Sequence, residues 1–197
     1  MEGYRDRSSS SIEIISIDEG INSIEEIIND MRDMEYLNEI TKNDLEFSYN
    51  QFALWLNNLI ESNPINGEIV AISFGVYETR IGFQLYVVGS KSWSFYHDDW
   101  IDNKEYVPKC RKSNIRLINR IKSYYDKDEY IKMFFSIMVI ITYYILKYVK
   151  ENKDRVLKNK NINISLGLDD GDIINLCRIY NNKIEVYKKS IPLSIYE

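Results

Sequence analysis

The sequence predicts an α+β fold, with paired helices packed on a mainly antiparallel sheet of hairpins in the order ααββααβββ. Three observations predict it. Apolar residues recur at helical spacing in two stretches before residue 65 and in two more between 115 and 156. Strict alternation replaces that spacing at 70–87 and again at 162–187. The strands cluster around short turns and do not alternate singly with helices, which argues against a doubly wound parallel sheet.

The elements follow in order. Residues 1–11 are expected to fray, because Ser8, Ser9, Ser10 and Ser11 form a polar cluster with nothing to bury. Residues 12–197 are expected to form a single domain, as 197 residues allow. Ile12, Ile14 and Ile15 make either a short strand or an anchoring segment. Ser23 and Glu26 have capping-box spacing, which predicts a first helix beginning near Ser23. Ile24, Ile27, Ile28 and Met31 then share one face. A second helix is expected from about Asp44 to Glu61, with Leu45, Tyr49, Phe52, Leu56 and Leu59 as its stripe. Asn63-Pro64 ends it, since proline disfavours helical geometry in the residue before it.

Val70, Ile72, Phe74 and Val76 alternate with smaller residues, as do Ile81, Phe83, Leu85 and Val87, with Tyr77 to Arg80 as the turn between two strands. Residues 89–112 lack periodicity. Their length is unusual for a loop without a function, and Trp93, Phe95, Tyr96, Trp100 and Tyr106 argue that it packs down on the sheet. Ile115, Ile118, Ile121 and Tyr125 restore helical spacing. A long apolar helix from about Asp128 to Val156 follows, with Asp128 as its N-cap. Its most apolar stretch, Met133 to Leu146, is 14 residues, short of the roughly 20 that span a bilayer, so it is read as a core helix. Ile162 to Leu168, Ile173 to Ile179 and Ile184 to Tyr187 are the last strands, joined at Asp169-Asp170-Gly171-Asp172 and at Asn181-Asn182.

Composition narrows function by exclusion. His97 is the one histidine, which removes most histidine-based catalytic schemes. Cys110 and Cys177 have no Cys or His neighbour at metal-ligand spacing, so a zinc site is not expected. One disulfide between them stays open, although two reduced thiols suit a cytosolic chain better. No signal peptide is expected. The 31 isoleucines, 19 asparagines and 16 tyrosines, against two alanines, suit an AT-rich coding genome better than any particular function. The net charge of -5 hides segregation: residues 1–66 carry a net of -10 and residues 104–160 a net of +9. The two sets of charges either face each other as solvated helix surfaces, or leave an acidic surface that steers a basic partner.

Two segments could carry chemistry. Gly89 to Trp100 concentrates aromatics and acids directly after a strand. His97, Asp98, Asp99 and Asp102 are candidate metal ligands, but without EF-hand spacing. His97 with a carboxylate is a candidate acid/base pair, but without a nucleophile motif. Alternatively Trp93 and Trp100 plug the sheet end while Asp98 and Asp99 cap a turn, or the segment is a binding surface, for which Trp and Tyr are the usual anchors. Asp169, Asp170 and Asp172 surround Gly171 as a cation loop would, yet these residue types are also what a hairpin turn requires. If both acidic loops leave neighbouring strands, they make one negative patch. Lys109, Arg111, Lys112, Arg116, Arg120 and Lys122 form a basic run, either a solvated face or a nucleic-acid contact.

Leu85-Tyr86-Val87-Val88-Gly89-Ser90-Lys91, then Asp98-Asp99-Trp100, then Glu105-Tyr106-Val107-Pro108, resembles a motif in small bacterial immunity proteins of polymorphic-toxin and contact-dependent-inhibition systems. There a strand ends in Gly-Ser, and an acidic run precedes a tryptophan, often as Asp-Trp-Ala-Cys. Here Ile101-Asp102 stands in place of Ala-Cys. Ile164-Ser165-Leu166-Gly167-Leu168-Asp169-Asp170-Gly171-Asp172 resembles a Gly-x-x-Asp-Gly-Asp segment near the C-terminus of the same proteins. The resemblance implies a cytoplasmic, non-enzymatic inhibitor that binds a cognate toxin and occludes its active site, with no cofactor, nucleic acid or membrane involved. On that reading Trp93, Tyr96, Asp98, Asp99 and Trp100 are anchors, and Asp169, Asp170 and Asp172 an acidic rim. The rival expectation is a divalent-metal hydrolase or nuclease using the same carboxylates.

Overall fold

A computed structural model of the chain describes residues 12–33, 37, 39–80, 82–109, 112–113, 115–124, 129–156, 161–169 and 173–190. The fold is α+β. In chain order it runs β1 (Ile14–Ser16), α1 (Ile17–Asp33), α2 (Lys42–Ser62), β2 (Ala71–Thr79), β3 (Gly82–Ser90), α3 (Arg116–Ile121), α4 (Tyr130–Val156), β4 (Ile162–Leu168), β5 (Ile173–Tyr180) and β6 (Lys183–Tyr187). Among the described residues the six strands form one sheet in the order β1-β6-β5-β4-β2-β3. Its pairings are antiparallel except β2 with β4, which is parallel. The frayed start expected for residues 1–11 lies outside the described residues, as do Asp128, Tyr125, Cys110 and Arg111.

The first helix starts earlier than Ser23. Ile14 to Ser16 pairs with β6 as a short strand, and the chain turns directly into α1 at Ile17. The capping box lies at Ser16 and Glu19. The Ser16 amide donates to Glu19 Oε2 at 2.8 Å, and the Glu19 amide donates to Ser16 Oγ at 3.2 Å. Ser23 is inside the helix, where its hydroxyl donates to the Glu19 carbonyl at 3.0 Å. The same Ser-x-x-Glu spacing occurs at Ser16 and again at Ser23. The earlier copy wins because Ile21 belongs to the same buried face as Ile24, Ile28 and Met31.

α2 matches its predicted stripe: Tyr49, Phe52, Leu56 and Leu59 are buried. Thr41 is its N-cap in a reciprocal box with Asp44, and it stops at Asn63, before Pro64. α4 is the central helix. Its Tyr144 hydroxyl donates to the Leu45 carbonyl at 3.1 Å and its Tyr148 hydroxyl to Asn57 Oδ1 at 2.8 Å, fixing it to α2. By length and composition the Tyr130–Lys153 stretch would suffice to cross a membrane, but 67% of its apolar window is buried within the fold. That apolarity belongs to the core.

The helices share one face of the sheet. Ile72, Phe74 and Val76 of β2, Phe83, Leu85 and Val87 of β3, and Ile162, Ile164 and Leu166 of β4 join the helix residues in one cluster. Phe52 is its hub, with ring centroids 6.0 Å from Phe74, 5.9 Å from Tyr144 and 6.0 Å from Tyr148. Charge segregation resolves as facing surfaces. Arg120 pairs with Asp44 at 2.9 Å, Lys147 with Glu46 at 2.7 Å and Lys150 with Asp18 at 2.5 Å, while Lys122 reaches Glu78. Asp18, Asp44 and Glu46 of the acidic N-terminal third are thus answered by the basic middle, through pairs each worth under about 1 kcal/mol.

The β2–β3 turn is tighter than Tyr77 to Arg80. Pairing continues to Thr79 opposite Gly82. Tyr77 hydrogen-bonds Gln84 across the strands, which extends the ladder. Gly82 has φ +140°, and a Cβ there would lie 1.9 Å from Asn119 Oδ1, the atom that accepts the Phe83 amide at 2.7 Å. Farther along the outer edge of β3, the Ser113 amide donates to the Leu85 carbonyl at 2.8 Å. Gly89 and Tyr106 exchange two backbone bonds, at 2.9 and 3.0 Å. At the opposite edge, β1 is three residues long.

Candidate functional site

The second face of the sheet is built on small residues. Opposite the large apolar set, β2 presents Ala71, Ser73 and Gly75, and β4 presents Asn163, Ser165 and Gly167, in register as parallel partners. Small side chains leave a trough, and the long connection after β3 runs across it.

Short polar locks shape that connection. The Lys91 amide donates to Glu105 Oε2 at 3.0 Å, which holds the Glu105 carboxyl below its ordinary range. Ser94 Oγ accepts the amides of Tyr96 and His97, both at 3.2 Å. Trp93 stacks on Tyr187 with centroids 6.4 Å apart and planes 13° apart, and Phe95 meets Tyr187 at 5.1 Å. The Phe95 carbonyl accepts from Asn175 Nδ2 at 3.2 Å. The expectation that this loop packs on the sheet holds. At its far end Asp99–Ile101 form a single 3-10 turn, in which the Asp98 carbonyl accepts the Ile101 amide at 2.9 Å.

This turn and the β4 end enclose an open pocket of about 200 Å³. Its floor is Ser73, Gly75 and Gly167, and Tyr86 forms a wall. Asp98, Asp99, Ile101, Asp102, Lys104 and Asp169 form the rim. The two acidic loops therefore meet, as leaving neighbouring strands would require. β2 and β4 are adjacent, and the Asp169 amide donates to the Val76 carbonyl at 3.0 Å. Four carboxylates face one ammonium in the rim. None of the four makes a hydrogen bond or ion pair with another described residue. Asp98 makes no side-chain cap to the turn it precedes, so its carboxylate is not used for turn capping.

The remaining candidate residues separate by burial. Trp100 is 5% exposed, in a turn that packs beside β3, whereas Tyr96 is 70% exposed. Trp93 is half-buried against Tyr187. His97 is exposed. Asp170 and Asp172 lie outside the described residues. Among the described residues no three His, Cys, Asp or Glu side chains are close enough to share a metal ion. Ser73, Gly75, Tyr86 and Gly167 were not singled out as site residues from the sequence. The signal that could have found them is the small-residue alternation along β2 and β4, out of phase with the apolar one.

Beside the pocket runs a row of buried polar side chains. Ser73 pairs in register with Ser165, and Ser165 with Asn175. Ser73 is 4% exposed and Ser165 1% exposed. Ser165 Oγ, Asn175 Oδ1 and Trp93 Nε1 are buried without a hydrogen-bond partner. Such groups are uncommon in folded proteins, because each costs desolvation energy without a compensating bond.

Comparison with known protein families, curated proteins and solved structures returned no match.

Proposed function

We propose that this chain is a non-enzymatic, cytoplasmic protein inhibitor, an immunity protein that binds a cognate bacterial toxin and occludes its active site. The observation that carries the reading is the convergence of Asp98, Asp99, Asp102 and Asp169 on one open pocket. Elsewhere carboxylates of this chain pair with lysine and arginine across helix surfaces. These four have no described partner, and so project a negative field into solvent. A nuclease-type toxin has a basic substrate cleft, and an acidic inhibitor answers that charge and associates fast by steering. Tyr96 beside the rim offers the kind of exposed aromatic that anchors interfaces. Among the described residues no three carboxylates lie close enough to share a metal ion, and Asp170 and Asp172, which the rival metal-dependent hydrolase also calls on, lie outside them.

The test is co-expression with the toxin domain encoded by the neighbouring gene. The reading expects a tight complex, loss of toxin activity, and an association rate that falls with salt. Asp98→Asn with Asp99→Asn and Asp169→Asn is expected to slow association at low salt by about tenfold or more. An unchanged association rate would remove the steering role. Absence of any complex would remove the reading.

A further inference from the structure

Resting on that protein-binding reading, we propose that the pocket receives the guanidinium of one arginine side chain presented by the partner. The first support is chemical. The pocket is rich in acceptors: four rim carboxylates, with the Ser73 hydroxyl on its floor. The Ser73 side chain is nearly fully buried, and its hydroxyl has no described partner. It opens a row that continues to Ser165 Oγ and Asn175 Oδ1, both buried and unpartnered. Ser165 and Asn175 lie behind the pocket and do not line it, whereas the Ser73 hydroxyl below the carboxylate rim suits a cation that brings many donors of its own.

The second support is geometric. No three of the described carboxylates lie close enough to share a single small ion. A guanidinium spreads five N–H donors over a rigid plane and can serve separated acceptors at once, which an ammonium point charge does less well. Tyr86 also lines the pocket, and an aromatic ring beside a guanidinium adds a cation–π attraction. The volume of about 200 Å³ exceeds one water's share of roughly 30 Å³ several-fold, room enough for a side chain.

The experiment needs no toxin, so its failure is distinct from failure of the inhibitor reading. The ¹⁵N-labelled full chain is titrated with N-acetyl-arginine amide, N-acetyl-lysine amide and the uncharged N-acetyl-citrulline amide, each to about 50 mM. Expected are saturable amide shifts at Ser73, Gly75 and Gly167 with the arginine probe. The lysine probe is expected to bind at least about fivefold more weakly, and citrulline to give no saturable shift. Asp98→Asn with Asp169→Asn, both at exposed positions, and Ser73→Ala in a separate chain, are each expected to abolish the arginine response while the remaining spectrum stays folded. No saturable shift with arginine, shifts confined to other regions, or responses to lysine or citrulline equal to that of arginine would each overturn the proposal.

Discussion

Replacing Gly75 by alanine tests how the pocket wall is built. In an ordinary strand position this change stabilises, by about 0.4–1 kcal/mol, because it narrows the unfolded ensemble. Gly75 has an ordinary strand φ, so backbone strain does not oppose the change. Contact decides the sign. The added Cβ would sit 2.0, 2.3 and 2.4 Å from Tyr86 Cζ, Cε1 and Oη. These atoms belong to a rigid ring that lies 5.9 Å from the Tyr77 ring, so relief needs a rotation of the whole side chain. Overpacking of this kind costs about 1–3 kcal/mol, which leaves Gly75→Ala destabilised by about 1–2 kcal/mol. In a Tyr86→Ala background the obstruction is gone, and the same change should be neutral or stabilising. The coupling across the double-mutant cycle is thus about 2 kcal/mol. Urea unfolding followed by circular dichroism of the four chains measures it. A Gly75→Ala effect of the same size in both backgrounds would refute the reasoning.

Four further outcomes are expected. Ser16→Ala should lower stability by about 1 kcal/mol through loss of the helix cap, whereas Ser23→Ala should stay within about 0.5 kcal/mol in the same urea assay. Glu19 and Asp44 are held below their ordinary pKa chiefly by hydrogen bonds from Ser16 and Thr41 respectively. Their contribution is therefore complete above the unfolded-state pKa and is lost as pH falls through the lowered folded-state values. Urea midpoints measured from pH 6 down to 3 should fall less steeply for Glu19→Gln with Asp44→Asn than for the parent chain. Cys177 is fully buried and its thiol is pushed up to about 12, so in a Cys110→Ser chain at pH 8 Ellman's reagent should react only after denaturant is added. Trp100→Ala should cost about 3–5 kcal/mol by truncation of a buried ring, while Tyr96→Ala should leave stability within about 0.5 kcal/mol and weaken toxin binding. A Tyr96 variant with undiminished affinity would remove that residue from the interface.

The α+β class and the β2–β3 hairpin were legible because period-two alternation of large residues marks one buried face regardless of what covers the other. The α2 stripe was legible for the matching helical reason. The start of α1 was not, because Ser16 and Ser23 carry the same cap spacing, and the choice between them rests on burial of Ile21 and on the pairing of Ile14 to Ser16 with Tyr187 to Glu185. Two acidic loops could be read from the sequence, and so could their joining if their strands were neighbours. What stayed hidden was the buried row behind them. Aligning Ser73, Ser165 and Asn175 requires the parallel β2–β4 register and the irregularity between Ile164 and Ser165 in the β4–β5 ladder. The β2–β4 register depends on a crossover more than 80 residues long, and the irregularity on backbone detail within the β4–β5 hairpin; periodicity encodes neither.

The two sheet edges have a consequence for how this protein can change. Along the outer edge of β3 the Phe83 amide, the Leu85 carbonyl and both Gly89 groups are engaged by Asn119, Ser113 and Tyr106, and β1 is too short to template a long ladder. Neighbouring molecules are thereby offered side chains in place of open backbone. Recognition that rests on side chains can be rewritten one codon at a time, since no ladder has to be broken and rebuilt when the partner drifts. On the inhibitor reading proposed above, the scaffold can stay constant while the face it carries keeps pace with the toxin.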